Sequence, residues 1–337
     1  MKPLVSILIP AYNAGPLLAA TVKSALAQTW PRTEIIIVDD GSTDGTLAVA
    51  QKFAAANVTV VTQKNAGAAA ARNQALQLSK GDFIQWLDAD DLLAPDKIER
   101  QMAAVETVAD NQKLFSSEWG RFMFRTEKAA FDRSPLWADL ERAEWLCRKL
   151  GQNLHMQPAT WLVSRELTQA AGPWDTRLSL DDDGEYFCRV LRASSGVKFV
   201  AGAKCFYRMT SFGSLSNVDR SDKKLESLWF SMQAHIRCLI SLEDSARARA
   251  AAVTYLRNWL DSFHPARPDL VAAAKQLAAS LGGRLELPAL RPKYAWLEKL
   301  FGRRFASRAQ AVLPTLRIRV VRQWDKFMFE RASRKHA

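Results

Sequence analysis

Short apolar runs alternate with helical patterns along the first 110 residues of the chain. Residues 5–9, 34–38, 58–62 and 83–87 have the length and the apolar, β-branched content of buried strands. Segments with helical character separate these runs. Such alternation predicts βαβ units and a mostly parallel sheet with right-handed crossovers, and therefore an α/β fold flanked by helices.

Acidic residues follow two of the predicted strands directly. Asp39 ends the second strand segment, and Asp88, Asp90 and Asp91 follow the strand at 83–87. In open α/β sheets ligands bind at the carboxyl ends of the strands, so we expect these side chains to share one edge. The Asp-x-Asp pattern offers oxygen ligands suited to Mg²⁺ or Mn²⁺ carrying a substrate's phosphates. An acidic turn that caps the next helix explains the same residues equally well when they are taken alone.

The second half of the chain has weaker signals. We predict a strand near 113–124, a helix at 136–150 and last strands at 197–200 and 205–208. Asp181, Asp182 and Asp183 open a predicted helix, where negative charge favours the helix dipole. Capping accounts for one of these aspartates, and three exceed that need. From residue 219 the pattern is helical to 281, with breaks at Pro265 and Pro268, which predicts a C-terminal helical appendage without a chemical motif.

Composition narrows the class of protein. The 337 residues are 48% hydrophobic and 24% charged, which is ordinary for a globular chain. The four cysteines and four histidines show neither zinc-site spacing nor a disulfide framework, so we expect a reducing compartment. The first apolar run is too short for a signal peptide, and no run approaches the roughly 18 apolar residues of a membrane span. We therefore expect a cytoplasmic protein.

The charge is concentrated at the C-terminal end. Of the net charge of +12, the basic tail (residues 291–337) carries +10, from 13 Lys and Arg against three acidic residues. Aromatic and aliphatic residues recur there at helical spacing beside the basic ones. This pattern suits peripheral binding to an anionic membrane surface, and packing of the apolar faces on the protein body explains it nearly as well. No nucleic-acid-binding module accompanies the charge, so we do not expect nucleic acid as a partner.

Four motifs resemble, in their order, those of family 2 glycosyltransferases of the GT-A fold. They are the first strand with Pro10-Ala11-Tyr12-Asn13, Asp39-Asp40-Gly41-Ser42, Asn65-Ala66-Gly67 with Ala71-Arg72-Asn73, and Leu87-Asp88-Ala89-Asp90-Asp91. The resemblance covers about the first 110 residues closely and the next hundred loosely. It implies an inverting transferase that uses a nucleotide-diphosphate sugar and a divalent metal, Mn²⁺ or Mg²⁺.

The resemblance also implies roles for individual residues. The residues that would contact the nucleotide sugar are Pro10, Ala11, Tyr12, Asp39, Arg72 and Asp88. The metal candidates are Asp88 and Asp90 of the Asp-x-Asp motif, with Asp90 the stronger ligand and Asp91 a neighbouring candidate. Asp183 would be the catalytic base; because Asp182-Asp183 replaces the family's more usual Glu-Asp, Asp182 remains an alternative. Structural interpretations also exist: Tyr12 could pack in the core, Arg72 could lie on a solvated helix face, and Asp40 and Asp44 could cap a helix.

A flexible segment at 210–216, rich in hydroxyl side chains, could fold over a diphosphate with Arg208 as counter-charge. Arg208 is equally compatible with an ordinary strand end. The predicted domains are a GT-A catalytic domain at 1–215, with a donor half to about 110 and an acceptor half beyond it, a helical extension at 216–290 and the basic tail at 291–337.

Two other classes of protein compete with a transferase. A sugar nucleotidyltransferase should carry a glycine-rich phosphate loop after the first strand, where this chain has Ala11-Tyr12-Asn13-Ala14-Gly15 and no Walker motif. A non-catalytic scaffold could keep the fold and use only its basic tail. The sequence leaves the sugar and the nucleotide base open. Uracil and a cell-surface saccharide or lipid-linked acceptor are our expectations.

Overall fold

The computed structural model describes residues 2–108, 110–209, 221–286, 296–297, 299–302, 305, 323–329 and 331. The candidate lid at 210–216 and most of the basic tail lie outside this part of the chain.

A mostly parallel sheet forms the centre of the molecule, as the sequence predicts. Its strands are β1 (Val5–Ala11), β2 (Thr33–Asp39), β3 (Val58–Thr62), β4 (Phe83–Trp86) and β7 (Val163–Ser164). They lie in the order β3-β2-β1-β4-β7, and of these β7 pairs antiparallel with β4 while the others pair parallel. Three helices connect the parallel strands: α1 (Gly15–Leu26), α2 (Thr46–Gln51) and α3 (Ala68–Leu78).

A second sheet has the order β5-β8-β6. It consists of β5 (Leu92–Leu93), β6 (Lys113–Phe122) and β8 (Gly196–Arg208). The sequence predicts two separate strands at 197–200 and 205–208, and this is wrong because both belong to β8. Val200 pairs with Ser117 and Lys204 with Glu118, so the residues between them bulge out and interrupt the apolar pattern.

Helices cover both sheets and form the extension. They are α4 (Lys97–Val108), α5 (Arg142–Gly151), α6 (Arg165–Ala171), α7 (Asp182–Ala193), α8 (Asp222–Leu242), α9 (Ala246–Phe263) and α10 (Pro268–Ser280), with short 3₁₀ turns at Thr126–Lys128 and Pro158–Thr160.

Two helix boundaries differ from the prediction. Helix α5 begins later than residue 136, because Leu140 forms a backbone bridge with Val197 of β8 before the helix starts. The helical run beyond residue 219 breaks at 243–245, where the Ser245 hydroxyl caps α9 by accepting from Ala248 N at 3.3 Å. The predicted break at the two prolines is confirmed, since α9 ends at Phe263 and α10 begins at Pro268.

The central sheet is buried on both faces. Val5, Ile7 and Ile9 of β1 belong to one apolar cluster, and Leu8 belongs to the other. This second cluster continues into α8 and α9, so the helical extension shares its core with the sheet. Within the residues that the structure describes, we find no helix with the length and apolarity needed to cross a bilayer.

Candidate active site

The predicted site residues gather at the carboxyl edge of the central sheet. Pro10 and Ala11 at the end of β1 pair with Val38 and Asp39 at the end of β2. Because β4 runs parallel beside β1, Asp88 and its neighbours leave the sheet at the same edge. The expectation that the acidic residues after these strands share one edge of the sheet is therefore confirmed.

Asp39 presents a buried carboxylate of which one oxygen has no hydrogen-bond partner among the described residues. Its Oδ2 accepts hydrogen bonds from the Thr62 hydroxyl at 2.9 Å and from Ser42 N at 3.4 Å. Its Oδ1 is buried without a hydrogen-bond partner in the described part of the chain. Nearby, the Tyr12 ring is 52% exposed, which rules out core packing for this side chain. A fixed acceptor beside an accessible ring is an arrangement that suits a planar, hydrogen-bonding ligand.

Asp40 and Asp44 have structural roles. Asp40 is buried and accepts from the backbone N–H groups of Ala66 and Gly67, both at 2.9 Å, directly before α3. Asp44 accepts from Thr46 N at 2.8 Å and so caps α2. Asp44 therefore agrees with the capping interpretation. For Asp40 that interpretation is wrong, because its carboxylate fixes the turn that precedes α3 and does not cap the helix after Gly41.

Arg72 of α3 joins the two acidic clusters. Its Nη1 donates to Asp182 Oδ2 at 2.6 Å, and its Nη2 donates to Asp88 Oδ1 at 2.8 Å. Arg72 is only 5% exposed, so it does not lie on a solvated helix face. Burial alone would lower the pKa of Arg72, but the carboxylates of Asp182 and Asp88 outweigh it and raise this pKa. The guanidinium is therefore charged and holds α7 against the Asp-x-Asp motif.

Two residues that the sequence analysis did not assign complete this junction. Asn73 exchanges two hydrogen bonds with the backbone of Trp174, at 2.8 and 2.9 Å. The Arg72 guanidinium lies 4.4 Å from the Trp174 ring centroid, and that ring stacks on Tyr186 of α7 at 4.0 Å. Asn73 lies within a recognised motif, whereas its partner is 101 residues away, so only the fold reveals the pair.

The two candidate bases have different surroundings. Asp182 is 9% exposed, and its carboxylate forms an ion pair with Arg72. Asp183 is half-buried and lines a narrow cavity together with Trp145, Lys149 and His155. Burial, followed by the charges of Asp181 and Asp182, raises the pKa of Asp183 to about 7. A half-buried carboxyl that lines a cavity and has a pKa near neutrality is suited to general-base chemistry, and this favours Asp183.

The three metal candidates also differ. The Asp88 side chain is 30% exposed and fixed by Arg72, and Asp90 is half-buried. Asp91 is fully buried, its Oδ1 accepts from Arg208 N at 2.8 Å, and burial raises its pKa well above the usual range. Because this carboxyl is fully buried and its Oδ1 is already bound to Arg208 N, Asp91 is the weakest of the three candidates.

Arg208 is 7% exposed and is hydrogen-bonded to the backbone of the Asp-x-Asp motif. It donates to Asp90 O at 2.7 Å and to Met123 O at 2.9 Å. Its assignment as a counter-charge to the diphosphate stays a prediction.

The described residues contain no cluster of three or more His, Cys, Asp or Glu side chains arranged as a metal site. Mg²⁺ is commonly held by one or two protein carboxylates together with substrate phosphates, so Asp88 and Asp90 fit a metal that binds with a phosphorylated ligand.

Comparison with known proteins identifies the family. Residues 6–170 match the family described as Glycosyl transferase family 2. An Escherichia coli enzyme named UDP-Glc:alpha-D-GlcNAc-diphosphoundecaprenol beta-1,3-glucosyltransferase is 44% identical over 115 residues, which are 34% of this chain and 44% of that enzyme. The chondroitin synthase of Escherichia coli is 48% identical over 99 residues, 29% of this chain and 14% of the synthase. The matches thus span less than half of each relative's length.

The fold is similar to that of a solved glycosyltransferase. The crystal structure of Staphylococcus aureus TarS 1–349 in complex with UDP aligns with a TM-score of 0.61 at 15% identity, over 91% of both chains. This likeness confirms the predicted GT-A fold. The family itself rests on the matched segment: residues 6–170, about half of this chain, belong to glycosyl transferase family 2.

Proposed function

We propose that this protein transfers a sugar from a nucleotide-diphosphate sugar to a hydroxyl acceptor with inversion at the anomeric carbon. The observation that carries the proposal is the pair of ion pairs made by Arg72. They hold the Asp-x-Asp motif and the first turn of α7 together, so that the half-buried carboxyl of Asp183, with its near-neutral pKa, lies beside the motif that suits a diphosphate.

The attacking hydroxyl oxygen and the leaving diphosphate oxygen need different help from the protein. The attacking hydroxyl must lose a proton, and Asp183 accepts it. The leaving diphosphate is already a weak base and needs no acid, so one carboxylate suffices, unlike the acid and base pair of glycoside hydrolysis. A divalent metal bound by Asp88 and Asp90 would neutralise the charge that develops on the diphosphate, as a Lewis acid. Retention of anomeric configuration in the product would contradict direct displacement.

A UDP-sugar is the donor we propose. One relative is named for UDP-Glc, and TarS was crystallised with UDP. The buried, unpaired Oδ1 of Asp39 is the acceptor that we propose for a donor group on the uracil edge. Relatives named for a diphosphoundecaprenol acceptor and for chondroitin synthesis favour a saccharide or lipid-linked acceptor in polysaccharide or glycolipid synthesis.

The metal requirement provides the first test. We expect nucleotide release from one member of a panel of UDP-, GDP- and dTDP-sugars with Mn²⁺ or Mg²⁺, and its loss on chelation. Asp90→Asn should reduce metal-dependent release by roughly 100-fold or more, because several kcal/mol of charge stabilisation depend on the metal. Asp96→Asn is the matched control, since Asp96 is an exposed carboxylate paired with Arg100. Metal-independent release, or full release by Asp90→Asn, would contradict the metal assignment.

The scaffold alternative is tested by binding alone. A non-catalytic protein that keeps only the fold should show no metal-dependent affinity for the donor. Equilibrium binding of UDP, measured with and without Mn²⁺, separates the two readings even when the acceptor is unknown.

The described residues of the basic tail suggest a membrane-facing surface. Asp325 is buried, accepts from Phe124 N at 2.9 Å and pairs with Arg125 Nε at 2.6 Å. The tail therefore has a buried attachment to the end of β6. Leu297 is also buried, but seven large apolar side chains of the described tail remain 43–67% exposed: Trp296, Leu300, Phe301, Phe305, Trp324, Phe327 and Phe329. Exposed aromatic rings on a basic segment fit the interface of an anionic bilayer, which we propose as a partner.

Vesicle co-sedimentation tests this surface. We expect binding to phosphatidylglycerol vesicles, weaker binding to phosphatidylcholine, and weakening in high salt. Trp324→Ser/Phe327→Ser should reduce the affinity roughly tenfold or more, because burying one large apolar side chain contributes about 1.5–3 kcal/mol. Leu26→Ser/Leu78→Ser, at two exposed apolar positions of the catalytic domain, is the control. Equal sedimentation of both double variants would contradict membrane docking through the tail.

A further inference from the structure

One face of α8 carries a row of buried polar residues. Ser227, Ser231 and His235 are spaced four residues apart, which places them on one side of the helix, and all three are buried. We call this row the α8 polar stripe. It belongs to the helical extension, where the sequence shows no chemical motif.

The stripe binds the segment that leads into α7. The Ser227 hydroxyl accepts from the backbone N–H groups of Ser179 at 2.9 Å and Leu180 at 3.0 Å, and it donates to Leu180 O at 2.9 Å. One donor and two acceptor positions are all that a serine hydroxyl offers, so Ser227 is fully used here. The Ser231 hydroxyl lies 2.7 Å from Asp181 Oδ2 and 3.0 Å from Asp181 O. A hydrogen bond to an ionised carboxylate is among the stronger ones in proteins.

His235, the third residue of the stripe, lies between Asp181 and Tyr255 of α9. Its Nδ1 lies 3.0 Å from the Tyr255 hydroxyl of α9, and its Nε2 lies 3.8 Å from Asp181 Oδ2. Gly184 in the first turn of α7 packs against it: a Cβ at this position would come within 2.8 Å of His235 Nε2 and would collide with the Asp181 carboxylate. The start of α7 therefore rests directly on the stripe.

Asp181 has an unusual backbone conformation that the stripe supports. Its φ of 58° lies in the left-handed region, which is uncommon outside glycine and is tolerated best by Asn and Asp. It is the N-cap of α7, yet its side chain makes no cap hydrogen bond within the helix, being engaged by Ser231 instead. The conformation of Asp181 sets the direction in which α7 begins, and Asp183 lies two residues further on.

We propose that Ser227, Ser231 and His235 are positioning residues that hold the segment 179–181 and thereby place the carboxyl of Asp183. The helical extension is then part of the catalytic centre. This inference rests on the proposed function, because it takes Asp183 as the base.

The segment that the stripe holds also affects the pKa of Asp183 through the charge of Asp181. After burial itself, Asp181 is the largest cause that raises the pKa of Asp183; Asp182 and Asp88 add to it, and Arg72 of α3 opposes it. Lys149 and His155 line the same cavity. Burial lowers the pKa of His235 and so favours its neutral form.

Two variants test the role of the stripe. Ser231→Ala should lower kcat roughly tenfold or more, because small displacements of catalytic groups are costly, while the Kd for UDP stays unchanged. Asp181→Asn keeps a residue type that tolerates positive φ but removes the charge. It should therefore shift the acidic limb of the pH profile of kcat/KM below pH 7. Ser241→Ala is the control, since among the described residues this hydroxyl bonds to Cys238 O within the same helix.

The outcomes separate this inference from the proposed function. The inference would be overturned if Ser231→Ala kept the wild-type kcat and Asp181→Asn kept the acidic limb of the pH profile at the wild-type pH. It would also be overturned if Ser231→Ala lost kcat and UDP affinity to the same extent. If Ser231→Ala does not fold, the limb of Asp181→Asn decides alone. A wild-type protein that neither binds UDP nor transfers sugar would overturn the proposed function and this inference with it.

Discussion

Asp183→Asn is expected to lower kcat by about 10²–10⁴-fold, the usual contribution of a general base, and to leave the Kd for UDP unchanged. Asparagine has the same shape but cannot accept the proton of the acceptor hydroxyl. Asp183 makes no ion pair with Arg72 in this structure, so the packing around α3 and α7 should survive the change. Transfer kinetics and UDP binding, measured on the same preparation, check both parts of the expectation.

Asp182→Asn is the matched comparison, because it makes the same replacement, a carboxylate by an amide, at the adjacent residue. Asp182 is bound to Arg72 at 2.6 Å, so its loss should lower stability together with any loss of activity. If Asp182→Asn abolishes transfer without loss of stability while Asp183→Asn remains active, the base is Asp182 and our assignment is wrong.

The pH profile gives a second measurement of the same prediction. The pKa of Asp183 is raised to about 7, and the base acts only when it is deprotonated. Activity should therefore be fully present above about pH 7 and fall about tenfold per pH unit below it. The residual activity of Asp183→Asn should lack this acidic limb. A wild-type profile that stays flat down to pH 5 would exclude a base with this pKa.

The parts of the fold that the sequence predicts are those fixed by local patterns. The strands β1 to β4 are continuous apolar runs, and their alternation with helices defines a parallel sheet. The location of the acidic residues that follow β2 and β4 could be predicted in the same way, because the ends of parallel strands meet at one edge of the sheet. In β8 the local pattern misleads, since a bulge at 201–203 divides one strand into two apolar segments.

Partners distant in sequence could not be predicted. Ser231 and Asp181 are 50 residues apart, and a serine within a helix carries no signal that it binds a backbone elsewhere. The sequence resemblance assigns Arg72 to the nucleotide, whereas the structure shows its guanidinium bound to two carboxylates, one of them 110 residues away. Residue type and motif indicate that a charged group belongs to the site, but only packing determines which group it meets.

Arg72→Met is expected to lower the free energy of unfolding by about 3–5 kcal/mol, the cost of leaving a buried charge without its partner. Because the Asp88 side chain is 30% exposed and water screens part of its charge, the lower end of this range is the better expectation. Methionine has a similar length and keeps the contact with Trp174 largely apolar. Urea unfolding, with the slope held equal to that of the wild type, measures the change.

Arg100→Met is the matched control, because Arg100 pairs with Asp96 at 2.6 Å, the same distance as Arg72 to Asp182, but on the surface. We expect it to cost only about 0.3–0.5 kcal/mol. The double variant Arg72→Met/Asp182→Asn should recover part of the stability lost in Arg72→Met, since it also removes the more deeply buried unpaired charge. Equal losses in the two arginine variants would mean that water screens both pairs alike. In that case the Arg72 ion pairs would not be what holds the first turn of α7 against the Asp-x-Asp motif, and the packing of Trp174 on Tyr186 would have to do so instead.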